Sequence, residues 1–572
     1  LPGLVMIGWW QDFPFWQTSL ICAAGGLLGV MFSIPLRRAL VTGSDLPFPE
    51  GYAAAEVLKV GAGEMPGEDA AAGAAEAKAG LGAILFGTAV STGFAILTAM
   101  KLTAEDAAAW FRAGRAATGI DLGLSFALFG VGHLVGLSVG IAMLFGLLIG
   151  FGVATPLLTY IHATPGIAEE AALGVWGHEV RFIGAGVIGV AALWSLGKLI
   201  LPIAQGLRDA ARASKARKAD GGTLLPVEER DMPVAIVGAI TAALMIPVAA
   251  LLAHFALGGP LAPYVVRLTV LGTIYVFLGG VIVASVCGYM AGLIGASNSP
   301  LSGVGILAVL GAALLLAVGI APLVGANATQ QLIGFAIFAT AIIFAAATIS
   351  NDNLQDLKTG QLVGATPWKQ QAALMVGVIA GSIMIPPVLN LLNQAYGFGA
   401  ASALHATPLP APQAVLITAL AKGVLGHDLD WSLIGIGGAI GVVLIAIDGM
   451  LGRAGKLRLP PLAVGIGIYL PMSATLPVVI GAIVAHRWER RNPSPAAARI
   501  GVLMASGLIV GESLFGVVLA GLIVATGSST PLAIVGAGFH GIATWGGALL
   551  FVVLLALCYR HAAKVAARLP FP

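Results

Sequence analysis

The sequence predicts an all-α fold: a polytopic bundle of transmembrane helices, some of them short or broken, arranged as inverted structural repeats. Three observations carry this. Hydrophobic residues make up 58% of the 572 residues and charged residues 10%, with a mean hydropathy of +0.97. Apolar stretches of about 18 residues or more recur along the chain, the length that crosses a bilayer. Inside lipid each crossing must satisfy its own backbone, and the ~10-residue alternation of a membrane β-barrel is not seen. The 79 glycines suit helices packed closely in lipid.

The opening "LPGLVMIGWW" has neither an initiator Met nor a basic region with a cleavage site. It reads as the tail of a hydrophobic helix ending in interfacial Trp9 and Trp10, in a chain whose first helices are missing. Apolar segments follow at 17–36, 80–100, 121–135, 138–161, 182–206, 232–256, 264–290, 303–323 and 331–349. Further ones lie at 371–394, 431–451, 460–486, 498–526 and 541–558. Basic residues set their orientation. Segments 37–78, 207–231, 351–370, 452–459, 487–499 and 559–572 hold 22 of the 29 Lys and Arg, and the loops near 162–179, 257–263, 324–330 and 527–540 hold none. The basic side faces the cytoplasm. Segment 460–486 is basic at both ends, which one crossing cannot be. The break at "YLPMSATLP" predicts two short helices meeting at Tyr469–Ser473, with Leu459 and Arg487 on one side.

An internal repeat supports that reading. Leu46-Pro-Phe-Pro-Glu with Lys59 recurs as Leu409-Pro-Ala-Pro-Gln with Lys422, at an offset of 363. Gly132, Gly136, Ser138 and Gly146 match Gly467, Pro471, Ser473 and Gly481 at an offset of 335. Pro14-x-x-Gln17 with Ile34-Pro35 matches Pro367-x-x-Gln370 with Ile385-Pro386. The order is kept and the predicted topology inverts one copy. Inverted repeats with interrupted helices are the pattern of secondary transporters, with substrate held between repeats near the midplane. The expected organisation is an N-terminal transmembrane repeat over 1–206, a cytoplasmic basic linker over 207–231, and a C-terminal repeat with flanking helices over 232–572.

Five long motifs then make the chain recognisable: "SDLPFPEGYAAAEVLKVG", "GYMAGLIGASNSPLSGVGI", "NDNLQDLKTGQLVGATPWKQQ", "LPPLAVGIGIYLPMSATLP" and "ASGLIVGESLFG". In order, and from the first residues to about 520, the chain resembles the oligopeptide transporter (OPT) family, nearest its prokaryotic members by the yellow stripe-like branch. The resemblance implies roughly sixteen membrane helices and cation-driven uptake, usually with protons. The implied substrates are small peptides or metal–chelate complexes. It also implies further N-terminal helices.

Candidate substrate and coupling residues follow from polar groups at interrupted or apolar positions. Glu50, Glu56 and Lys59 belong to the opening motif; Glu56 and Lys59 can pair on one helix face. They fit either a solvated interfacial helix or a short helix dipping into a transport cavity. The matching copy has Gln413 for Glu50 and Ala419 for Glu56, so a carboxylate role is one-sided. Asn298 and Ser299 sit where Pro300 and glycines interrupt a helix, as unwound backbone or as a tight turn. Asp352, Gln355, Asp356 and Lys358 read as a polar loop suited to a cytoplasmic gate, or as solvated charges. Tyr469 precedes the Pro471 break and offers a phenol to substrate or to the core. Glu512 lies inside an apolar span, where a carboxylate is costly and marks either a proton site or a structural partner on another helix. Asp448 reads as salt-bridged near Arg453.

Much chemistry is excluded. Cys22, Cys287 and Cys558 have no CxxC spacing, and His133, His162, His178 and His540 have no metal-ligand spacing. HExxH and GxxxxGK are absent, which argues against an enzyme and an ATP-driven pump. A net charge of +3, dispersed at helix ends, points to no nucleic-acid partner. The expectation is a multi-pass transporter in a bacterial inner (plasma) membrane, partnered by lipid bilayer and a small peptide or metal–chelate substrate, with homo-oligomerisation left open. No cofactor is expected; a proton or other cation gradient drives uptake. Peptide uptake by proton symport is the first reading, and transport of siderophore- or nicotianamine-like metal chelates the alternative.

Overall fold

Most of the described residues are helical because each crossing must bond its own amides and carbonyls. A computed structural model describes residues 1–44, 46, 48, 50–52, 54, 55, 58, 68–162, 164–191, 193, 194, 197, 226–294, 296, 301–398, 411–426 and 431–569. Among these, eleven helices are long and apolar enough to cross a membrane. The chain folds as two compact units, Leu1–Ala62 with Ala192–Leu429, and Gly63–Ala191 with Asp430–Pro572. Each therefore joins early and late sequence, cutting across a division at 206 and 232. Most of the basic linker, 207–225, lies outside the described residues.

In the first unit the helices Phe15–Arg37 and Thr329–Leu362 form the centre, and both are largely buried. Small residues set their approach. A methyl on Gly25 would stand 2.7 Å from the Ile342 carbonyl oxygen, so no side chain fits at that crossing. Pro367–Tyr396 and Val234–Leu257 flank this pair and carry interior prolines at Pro386, Pro387 and Pro247. A buried polar clamp closes one end. Arg37, 1% exposed, donates to Asp231 Oδ1 at 2.5 Å, Arg38 adds a 2.8 Å contact, and Gln371 Nε2 donates to the same carboxylate.

In the second unit Glu68–Ala99 packs along Pro495–Thr526, and Thr88 and Thr92 donate to the Gly507 and Gly511 carbonyls at 3.2 and 3.0 Å. A β-hairpin follows that the apolar pattern did not announce. Asp106–Ala113 pairs antiparallel with Ala116–Gly123, turning at Gly114 with φ +63°. Phe126–Leu147 is then broken at Gly136, whose φ of 78° and ψ of 170° lie outside the helical region. Its counterpart is the expected hairpin: Pro461–Tyr469 and Met472–Arg491 are separate helices meeting at Leu470–Pro471. Ser138 Oγ donates to the Arg458 carbonyl at 2.8 Å, and His133 lies 6.3 Å from Trp488, ring to ring. Leu459 and Arg487 therefore emerge at the same end, beside the Gly136 break.

Two glycine pairs lock these hairpins together. A methyl on Gly132 would come within 2.9 Å of Gly481 Cα, and one on Gly146 within 2.7 Å of Gly467 Cα. Gly132 is the sequence match of Gly467, and Gly146 of Gly481, so each contact is the image of the other under exchange of the matched segments.

Candidate substrate cavity

The motif "NDNLQDLKTG" is not a loop. It continues the Thr329–Leu362 helix for three further turns, with the amides of Asn351 and Gln355 turned to the backbone of other segments. Gln355 Nε2 donates to the Ala291 carbonyl at 2.6 Å, and its Oε1 accepts from Gly51 N–H at 2.8 Å. Thr359 Oγ1 donates to the Gly51 carbonyl at 2.9 Å, and Asn351 Nδ2 to the Ala296 carbonyl at 3.3 Å. Glu50 accepts from Ala296 N–H at 3.0 Å. One face of the helix thus holds backbone from two other segments, at Gly51 and at Ala291 and Ala296. Buried amides would be costly without such partners.

Another face of the same helix lines a cavity of about 1210 Å³. Ile337, Ala341, Ala345, Thr348, Asp352 and Asp356 recur along it at three- and four-residue spacing. Ile21 and Cys22 of Phe15–Arg37, Val378 and Ser382 of Pro367–Tyr396, and Ile417 of Pro412–Gly426 supply further wall, with Ala54 and Leu58. The wall is apolar over most of its length and becomes polar towards the end of the long helix, at Asp352, Asn353, Asp356, Thr359 and Gln370. Both aspartates are exposed, and neither forms an ion pair with a described residue. Glu50 and Asp356 are near enough to Asp352 to act on it electrostatically. The cavity therefore offers apolar surface with concentrated negative charge at one end.

The predicted residues divide accordingly. Asp356 lines the cavity, and Glu50 is not a lining residue but lies within electrostatic reach of Asp352. Glu56, Lys59, Asn298 and Ser299 lie outside the described residues. Tyr469 and Glu512 belong to the other unit. Tyr469, 4% exposed, accepts from Arg181 at 3.1 Å, and the same guanidinium lies 4.6 Å from its ring centre. Glu512 takes Ser125 Oγ–H at 2.7 Å and Ala127 N–H at 2.9 Å, capping the start of Phe126–Leu147. Asp448 pairs with Arg458 (Nε to Oδ1, 2.8 Å) and accepts from Leu459 N–H at 3.0 Å, the salt-bridged position that the sequence suggests. Arg458 reaches back ten residues across the turn, which helix spacing alone does not reveal. Asn353 is a site residue that sequence reasoning does not reach. The signal for it was the cavity-facing period, which reaches 352, 353 and 356 once the helix is known to continue. Among the described residues, no group of three or more His, Cys, Asp or Glu side chains is disposed to hold a metal ion.

Comparison with known proteins identifies this architecture. The family described as OPT oligopeptide transporter protein matches residues 1–523. The chain belongs to the OPT family. A Haemophilus influenzae relative named "Putative oligopeptide transporter" is 42% identical over 578 residues, covering 97% of this chain and 89% of that protein. More distant OPT relatives align over about a third of the chain. A rice protein named "Probable metal-nicotianamine transporter YSL12" is 28% identical over 198 residues, 33% of this chain and 27% of its own length. A Saccharomyces cerevisiae protein named "Putative oligopeptide transporter YGL114W" is 28% identical over 182 residues, 30% of this chain and 24% of its own length. Eleven apolar helices and OPT membership make this a multi-pass membrane transporter.

Proposed function

We propose that this OPT member is a secondary transporter that takes up small oligopeptides by proton symport, with the 1210 Å³ cavity as its substrate site. The single observation that carries the reading is the composition of that cavity. Its volume exceeds the roughly 300–1,000 Å³ of ordinary small-ligand pockets, which leaves room for several residues. Apolar walls accept varied side chains, and exposed carboxylates at one end accept a cationic group. An inverted duplication fits a carrier that alternates access, and the reciprocal Gly132–Gly481 and Gly146–Gly467 contacts support it. The alternative is a metal chelate, favoured by the 28% identity to a protein named for metal–nicotianamine.

A thermal-shift screen of the full-length protein in detergent tests the two readings against each other. Ligand at about 100 times its Kd stabilises by about 2.7 kcal/mol. Tri- and tetrapeptides should raise the melting temperature in a concentration-dependent way, with iron– and nickel–nicotianamine leaving it unchanged. The reverse pattern selects the chelate reading.

A further inference from the structure

Asp352, Asn353 and Asp356 lie within about 100° of arc on one helix, and all three line the cavity. Two chemically different demands meet there. The two carboxylates are exposed and lack an ion-pair partner among the described residues. Asn353 beside them is only 3% exposed, and its Nδ2 has no hydrogen-bond acceptor. A buried donor without an acceptor is costly, so a ligand that supplies one is favoured here. A ligand that brings a cationic group and a hydrogen-bond acceptor together meets both demands. An anion fails at the carboxylates.

We propose that Asp352, Asn353 and Asp356 recognise the free N-terminus of a peptide. The carboxylates accept hydrogen bonds from the α-ammonium, and Asn353 Nδ2–H donates to the first carbonyl oxygen. These two groups are separated in every peptide by only two carbon atoms, so the recognition is independent of side chains. The remaining residues extend over the Thr348–Ala345–Ala341 stretch of the same face, where small side chains leave space. The inference rests on the oligopeptide reading and adds which end of the peptide is read.

The test uses the unmodified full-length protein and three probes: trialanine, N-acetyl-trialanine and trialanine amide, with binding measured by isothermal titration calorimetry. Charge-assisted hydrogen bonds are the strong ones, so N-acetylation should weaken binding about tenfold or more, and C-terminal amidation by less than about threefold. The double variant Asp352→Asn, Asp356→Asn should bind free and acetylated trialanine alike. Equal affinity of the native protein for the free and acetylated peptides overturns the proposal and leaves the oligopeptide reading standing. Binding of none of the three overturns that reading as well. The comparison of probes needs no variant to fold.

Discussion

Glu512 reads from the sequence as a proton site or as a structural partner on another helix, and its hydrogen bonds are those of a structural partner. Its carboxylate meets the Ser125 hydroxyl and the Ala127 amide at the start of Phe126–Leu147, where free N–H groups favour negative charge. Ser125 in turn accepts from Leu128 N–H at 3.1 Å, so one carboxylate organises the whole first turn. Glu512→Gln should therefore lower stability by about 1–3 kcal/mol, measured as a lower melting temperature. Proton-driven uptake per folded molecule should be unchanged. Lost uphill uptake with an unaltered melting temperature would return Glu512 to a coupling role. Its position inside an apolar span was plain from the sequence. The partner, nearly four hundred residues away, was not.

At the scale of elements, hairpin packing rests on glycines without alternatives. Gly146→Val would drive a side chain into Gly467, where even a methyl stands 2.7 Å from Cα. Overpacking of a close contact costs about 1–3 kcal/mol, so a clear drop in melting temperature is expected. Gly174→Ala, in Ala168–Val175 with nothing within 4 Å of the new methyl, should be neutral or stabilising by up to about 1 kcal/mol. Equal effects at the two sites would show that close approach is not what Gly146 provides. The 460–486 hairpin was legible because a charge rule and a Pro471 break converged on it. The strands at 106–123 were not, because an alanine-rich segment with few β-branched residues has weak strand preference. Packing supplies the missing preference: Asp121 N–H reaches the Met472 sulfur at 3.2 Å, and Ala117 N–H reaches Thr159 at 2.9 Å. The polar motif at 351–360 misled in the opposite sense. Gln355 reads as part of a polar loop, yet it is buried, like Asn351, and bonds the backbone of another segment. Without knowing those partners, polarity alone suggests a loop.

For the whole molecule, family, membrane class and helical architecture followed from five motifs and a hydropathy pattern. The division into units did not, because each is assembled from segments distant in sequence. The candidate cavity lies entirely in one unit, along the helix that carries its acidic end. A carrier built this way should concentrate peptide at the expense of an ion gradient. The direct measurement is uptake of radiolabelled trialanine into proteoliposomes containing the full-length protein, with and without an imposed pH gradient that is acid outside. Accumulation well above equilibrium, abolished by a protonophore and cut about tenfold or more at limiting peptide by Asp352→Asn, Asp356→Asn, is the expected result. Equilibration without accumulation, or undiminished accumulation by that double variant, would contradict a proton-coupled carrier that binds peptide at this acidic end.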